Sequence, residues 1–184
     1  MVWRCDGQTI VGNEEEGEAM KRASADLPAA DSVAFEPEFV ARLKTLFEEQ
    51  IVFNRVMGLQ LSAISAERAT ACLDMRPELI GHQGHQRLHG GVIAATLDAL
   101  GGVAVVGAIS ALHMDEPVAA RMARFGRLGT IDLRIDYLRQ AIGPHFTASA
   151  QVMRVGSRVA STRMEFFGAD GRLLSTGAAA YIVS

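Results

Sequence analysis

Residues 90–108 are almost wholly Gly, Ala, Val, Leu and Ile, with Thr96 as the one hydroxyl and Asp98 as the one charge. A stretch of that kind has two main homes. One is a membrane, since about 20 apolar residues span the hydrocarbon as a helix. The other is a helix enclosed on several sides by protein. A carboxylate midway along the stretch is costly in lipid, and amphipathic strand patterns lie on both sides of it. The small residues fit the second home, because they let a surrounding sheet approach closely. The expectation is a buried helix from Gly90 to about Ala108.

The flanks support that reading. Pro37 suits a first helical turn. Phe39, Leu43, Leu46, Phe47 and Ile51 recur at helical spacing, so an amphipathic helix is expected to about Gln50. Beyond Met57 the period becomes two. Ala69, Ala71, Leu73 and Met75 alternate with Thr70, Cys72, Asp74 and Arg76, a half-buried strand stopped by Pro77. Leu59 and Leu61 suggest a shorter strand before it, with a turn near Ala66-Glu67. A loop rich in Gly, His and Gln covers 81–88. Downstream, Ile131, Leu133, Ile135 and Tyr137 form one strand, and Phe146, Ala148, Ala150 and Val152 another. Turn signals at Gly156-Ser157 and Asp170-Gly171 each separate two strands. The order is helix, two strands, long buried helix, four strands: an α+β fold with an antiparallel sheet curled around one helix.

Charge narrows the partners. Residues 1–34 hold seven acidic and three basic groups with no sustained period, and read as a flexible acidic leader before a domain of residues 35–184. From Arg121 to Arg172 there are nine arginines against four acids. These are too scattered for a duplex-binding stripe, so nucleic acid is not expected, but they suit the phosphates of a small anion. Cys5 and Cys72 stand far apart and suggest neither a disulfide framework nor a metal cluster. With a polar, acidic stretch from Met1 to Glu18, a reducing cytoplasm is the expected compartment.

The chemistry-bearing segment is Gln83 to Asp98. His89-Gly90-Gly91 falls where loop becomes helix. Helix N-termini carry unpaired N–H groups and partial positive charge. A bare glycine there lets a carbonyl oxygen approach, so the Gly90 amide is a candidate oxyanion donor, with His89 supporting the turn. A glycine pair that merely packs is the competing explanation. Asp98 must be hydrogen-bonded, ion-paired or facing a wet cleft; a structural carboxylate is the alternative to a catalytic one. It lies eight residues beyond Gly90, roughly 12 Å along the axis and rotated by about 80°. One helix cannot bring both to a single carbonyl, whereas two antiparallel copies can. If both residues serve one site, that site lies between subunits.

The segment Gln-Gly-His-Gln-Arg-Leu-His-Gly-Gly-Val-Ile-Ala-Ala-Thr-Leu-Asp, residues 83–98, resembles the signature of hotdog-fold acyl-CoA thioesterases. It is most similar to the phenylacetate-degradation-type (PaaI-like) branch. The resemblance covers roughly residues 50–184, including Phe53-Asn54-Arg55 through Gly58 and Leu128-Gly129-Thr130-Ile131-Asp132-Leu133. Its most specific element is His-Gly-Gly with an acid nine positions after the histidine. It implies hydrolysis of acyl-CoA without cofactor or metal, by a homodimer or dimer of dimers with interfacial sites. Asp98 would be base or nucleophile and Gly90 the oxyanion donor beside His89 and Gly91. Gln83, six residues before the histidine, would hold the water or thioester carbonyl. Thr130 matches a position where some relatives place a serine hydroxyl. Ser157 and Arg158, with Arg154, are the candidates for the CoA arm, and a plain hairpin turn is the alternative there.

His82 and His85 depart from the pattern and could shift Gln83 out of register. With His89 they form a string that suggests a metal, but neighbouring cysteines or a carboxylate are missing and no metal is expected. Two other functions share the fold: a non-enzymatic acyl-CoA binder, and a hydratase or dehydratase, whose His-Phe-Pro-Gly type loop is absent from this sequence. Phe53, Met57 and Met122 are candidates for lining an acyl pocket.

Overall fold

The structure is a computed structural model that describes residues 33–184, preceded by two short paired backbone segments, Val2–Trp3 and Thr9–Ile10. The expected acidic leader lies almost entirely outside the described residues. Helix α1 (Pro37–Thr45) begins at the proline, and Phe39, Leu43 and Phe47 are fully buried along its apolar stripe. The following turn, Leu46–Gln50, widens to π geometry. The chain then bends at Ile51 into α2 (Val52–Met57), which Gly58 closes in the left-handed conformation at φ 75°. The sequence pattern does not announce α2, because six residues are too few to show a period.

Strands β1 (Gln60–Ile64) and β2 (Arg68–Asp74) meet at the expected turn. The segment read as a loop is instead a small hairpin, β3 (Ile80–His82) with β4 (Arg87–Leu88), tipped by a 3₁₀ turn. Next comes α3 (Gly90–Ala111), then α4 (Val118–Ala123) and a 3₁₀ turn at Arg124–Arg127, neither of the last two expected. Strands β5 (Gly129–Tyr137), β6 (His145–Val155), β7 (Val159–Gly168) and β8 (Leu173–Ile182) complete the chain. Six antiparallel strands form one sheet in the order β1-β2-β6-β7-β8-β5 around α3, the expected hotdog architecture. Within α3, 67% of the most apolar stretch is buried, so an all-round apolar helix is covered by protein.

One strand forms as expected but is more exposed than its neighbours, and one expectation, about the cysteines, needs correcting. β5 does not turn a complete apolar face inward: Leu133 and Ile135 are half-buried, but Ile131 and Tyr137 are 58% and 54% exposed. The reason is position, since among the described residues β5 is an edge strand paired with β8 alone. Cys72 on β2 is disulfide-bonded, because separation in sequence does not fix separation in space.

α4 is tied down by one buried cation. Arg121 is fully buried, donates to Glu36 Oε1 at 2.6 Å before α1, and lies 5.1 Å over the Phe39 ring. That hydrogen bond holds the Glu36 carboxyl below its usual range. Arg124 pairs similarly with Glu116 at 2.5 Å. Two of the arginines read as possible phosphate ligands are therefore engaged in holding helices together.

The close approach of sheet to helix depends on glycine. A Cβ at Gly101 would stand 2.1 Å from the Tyr181 hydroxyl and 2.9 Å from Met164 Sδ. Gly101→Ala is expected to cost about 1–3 kcal/mol through overpacking, read as a lower urea midpoint at unchanged m-value. A neutral result would mean that Tyr181 moves aside freely.

Candidate active site

Asp98 sits half-buried on the face of α3 that looks toward β5. Thr130, near the start of β5, donates its hydroxyl to Asp98 Oδ1 at 2.8 Å. Tyr181 on β8 donates to the Asp98 carbonyl oxygen at 2.9 Å. Burial, and the Asp98 charge after it, push the Tyr181 phenol well above its ordinary range, so it remains a donor. Asp98 Oδ2 has no protein partner among the described residues, and Asp98 lines a cavity of about 270 Å³ together with Ile51, Phe53, Phe125 and Leu128. The acid is only half-buried and makes no ion pair among the described residues, with one oxygen anchored by Thr130.

Gly90 occupies a second depression of about 430 Å³, with Arg87, Ile93, Tyr137 and Arg139. His89 is the N-cap of α3, and its Nδ1 accepts the Gly91 N–H at 2.9 Å. Capping therefore uses the Gly91 amide and leaves the Gly90 N–H without an acceptor among the described residues. It also requires His89 to carry its proton on Nε2. The turn is pinned by His89 N–H donating to Leu79 O and Leu88 N–H to Ala141 O, both at 2.9 Å. Tyr137, at the far end of β5, donates to Gly90 O at 2.9 Å. Within one protomer Gly90 and Asp98 line separate depressions, as the helix geometry requires, at opposite ends of β5.

The other candidates scatter. Gln83 is exposed in the 3₁₀ turn at the tip of the β3–β4 hairpin, where its carbonyl accepts from the Gln86 side chain at 2.9 Å, and it lines neither depression. His82 and His85 stack on each other with ring centroids 4.8 Å apart, while His89 is turned to its cap. Arg154, Ser157 and Arg158 share a depression of about 390 Å³ around the β6–β7 turn. Ala160, Tyr181 and Thr130 are registered side by side across β7, β8 and β5. That turn thus lies at the Thr130 end of the sheet, about two strand spacings, roughly 10 Å, from Thr130. Of the acyl-pocket candidates, Phe53 lines the Asp98 cavity, Met122 lines a neighbouring groove, and Met57 is a core residue at 2% exposure. Tyr137, Tyr181, Phe125 and Leu128 are site residues that sequence reading does not select, because they meet Gly90 and Asp98 only through sheet register and a turn.

Comparison with known proteins places the chain in a family and agrees with the fold. Residues 85–175 match the family model described as the thioesterase superfamily. A medium/long-chain acyl-CoA thioesterase, YigI, of Salmonella typhimurium is 36% identical over 138 residues, 75% of this chain and 89% of that protein. Its Escherichia coli (strain K12) counterpart is 35% identical over the same shares. A crystal structure from Shewanella oneidensis, described as related to the thioesterase superfamily, superposes with a TM-score of 0.75 at 33% identity, covering 82% of this chain and 100% of that one.

The cap can be tested apart from any chemistry. His89→Ala is expected to lose about 1 kcal/mol of stability in urea unfolding. His89→Asn, which restores an N-cap acceptor, should recover most of it. Equal losses in the two variants would remove the capping role.

Proposed function

Because this chain belongs to the thioesterase superfamily, we propose that it hydrolyses acyl-CoA thioesters to the free acid and CoA, using Asp98 of one subunit and the Gly90 amide of another. The observation that carries this reading is the half-anchored carboxylate. Thr130 fixes Oδ1, Asp98 lines the cavity, and among the described residues neither a cation nor a hydrogen-bond donor occupies Oδ2, which leaves that oxygen to act. That oxygen takes a proton from a water molecule as it adds to the thioester carbonyl carbon; in the alternative route it attacks the carbonyl directly, and water then hydrolyses the resulting Asp98 acyl anhydride to free acid and carboxylate. The carbonyl oxygen gathers negative charge against the unpaired Gly90 N–H at the α3 N-terminus. The C–S bond then breaks and CoA leaves as a thiolate that needs no metal. His89 acts as a positioning residue through its cap and Gly91 provides the amide that cap uses, while Gln83, exposed at the hairpin tip and lining neither depression, is given no part in this step.

Two features support a shared site. β5 offers an edge unpaired among the described residues, carrying exposed Ile131 and Tyr137, the kind of edge that pairs with another strand. Antiparallel pairing of two β5 strands about an axis between Leu133 and Arg134 sets Thr130 of one opposite Tyr137 of the other. Thr130 holds Asp98 and Tyr137 holds Gly90, so this pairing brings the two half-sites together. We read the unit as a homodimer or dimer of dimers formed by residues 35–184. Arg154, Ser157 and Arg158 would meet the phosphates of CoA, and the relatives' medium/long-chain specificity carries over as the expected substrate class.

Asp98→Asn is expected to lower thiol release from acyl-CoA by 10²–10⁴-fold with the oligomer intact by sedimentation, and Thr130→Ala by a smaller factor. Full activity in Asp98→Asn, or acyl-CoA binding by the native protein without release of CoA, would defeat the reading. Interfacial sites have their own test. Gly90→Pro removes the amide at a position where proline suits a helix. Refolding it together with Asp98→Asn should restore about a quarter of native activity, since half the dimers then hold one intact site. No recovery in the mixture would place both residues in the same subunit's site.

A further inference from the structure

We propose that the acyl chain runs from the Asp98 cavity past Phe125 into the groove between α1 and α4, so that Phe125 is the constriction that sets chain-length preference. This inference rests on the acyl-CoA reading above and extends it. Two segments wall the Asp98 cavity, with Ile51 and Phe53 on one side and Phe125 and Leu128 on the other. A groove of about 590 Å³ is walled by the continuation of the same two segments, with Leu46 and Gln50 facing Met122 and Gly126. Phe125 belongs to both linings. Phe125 thus stands between the two spaces, and the proposed path runs past its ring.

The occupant follows from the walls. Leu46, Met122 and Phe125 offer an apolar path, and the path begins beside the carboxylate that acts on the thioester, so what enters it is the apolar end of the substrate. Leu46 and Gln50 are the first and last residues of the π-geometry turn. Such widened turns are rare and concentrate at functional sites; here the turn carries the wall of the cleft. A Cβ added at Gly126 would meet nothing within 4 Å, so the cleft is open beyond the ring.

Each methylene taken out of water contributes about fourfold to kcat/KM. The test compares kcat/KM for a short and a long acyl-CoA by thiol release, using the full chain. Gly126→Leu fills the far part of the cleft and should lower the long-to-short ratio by about tenfold or more. Phe125→Ala removes the constriction and should raise it. Opposite shifts support the cleft, because a merely structural defect would reduce both substrates together. A ratio within twofold of native in Gly126→Leu sends the chain elsewhere and overturns the inference, even if Phe125→Ala fails to fold. A native protein that hydrolyses acyl-CoA with no dependence on chain length overturns this inference but not the proposed function. A native protein that hydrolyses none overturns both.

Discussion

A helix with almost no polar face can exist in water only if something closes around it. Everything in this protein follows from how closely the sheet closes around α3. Gly101 lets Tyr181 reach the helix backbone, and the Tyr181 hydroxyl takes the Asp98 carbonyl as its acceptor. The same strand register sets Thr130 beside Tyr181, which places a hydroxyl on the Asp98 carboxylate. Packing and chemistry are coupled at that point: the small residue that lets the core close also fixes the acid's surroundings.

The two ends of the proposed reaction are treated differently by the fold. The acid residue is held by side chains from two strands, is only half-buried and makes no ion pair among the described residues. The amide end is held by backbone, through the pinned turn before α3, and by a cap that consumes the neighbouring amide rather than the one left to act. β5 links the ends, with Thr130 at one and Tyr137 at the other. Its exposed apolar residues are what an edge strand retains when pairing is its use.

The N-terminal helices contribute a wall rather than a catalytic group. Arg121 shows how that wall is kept in place. A fully buried guanidinium is tolerated because Glu36 neutralises it and Phe39 lies beneath it, and those contacts fix α4 against α1. The segments 41–54 and 122–130 then face each other beside Asp98. On the proposed reading, these segments select the acyl chain, and the β6–β7 turn meets the CoA arm.

The sequence by itself determined the local and periodic facts. The apolar run with one acid dictated an enclosed helix, strand alternation dictated the antiparallel sheet, and the helical rise and twist dictated that Gly90 and Asp98 act apart within one chain. His89-Gly90-Gly91 was legible as a helix start because capping involves neighbours in the chain. Tertiary structure alone decided the rest. Tyr137, Tyr181 and Phe125 reach the site through strand order and a short turn, and β5 became an edge through its place beside β8. No period in the chain encodes those relations. They arise from pairing between residues distant in sequence, which only the closed sheet brings within hydrogen-bonding reach.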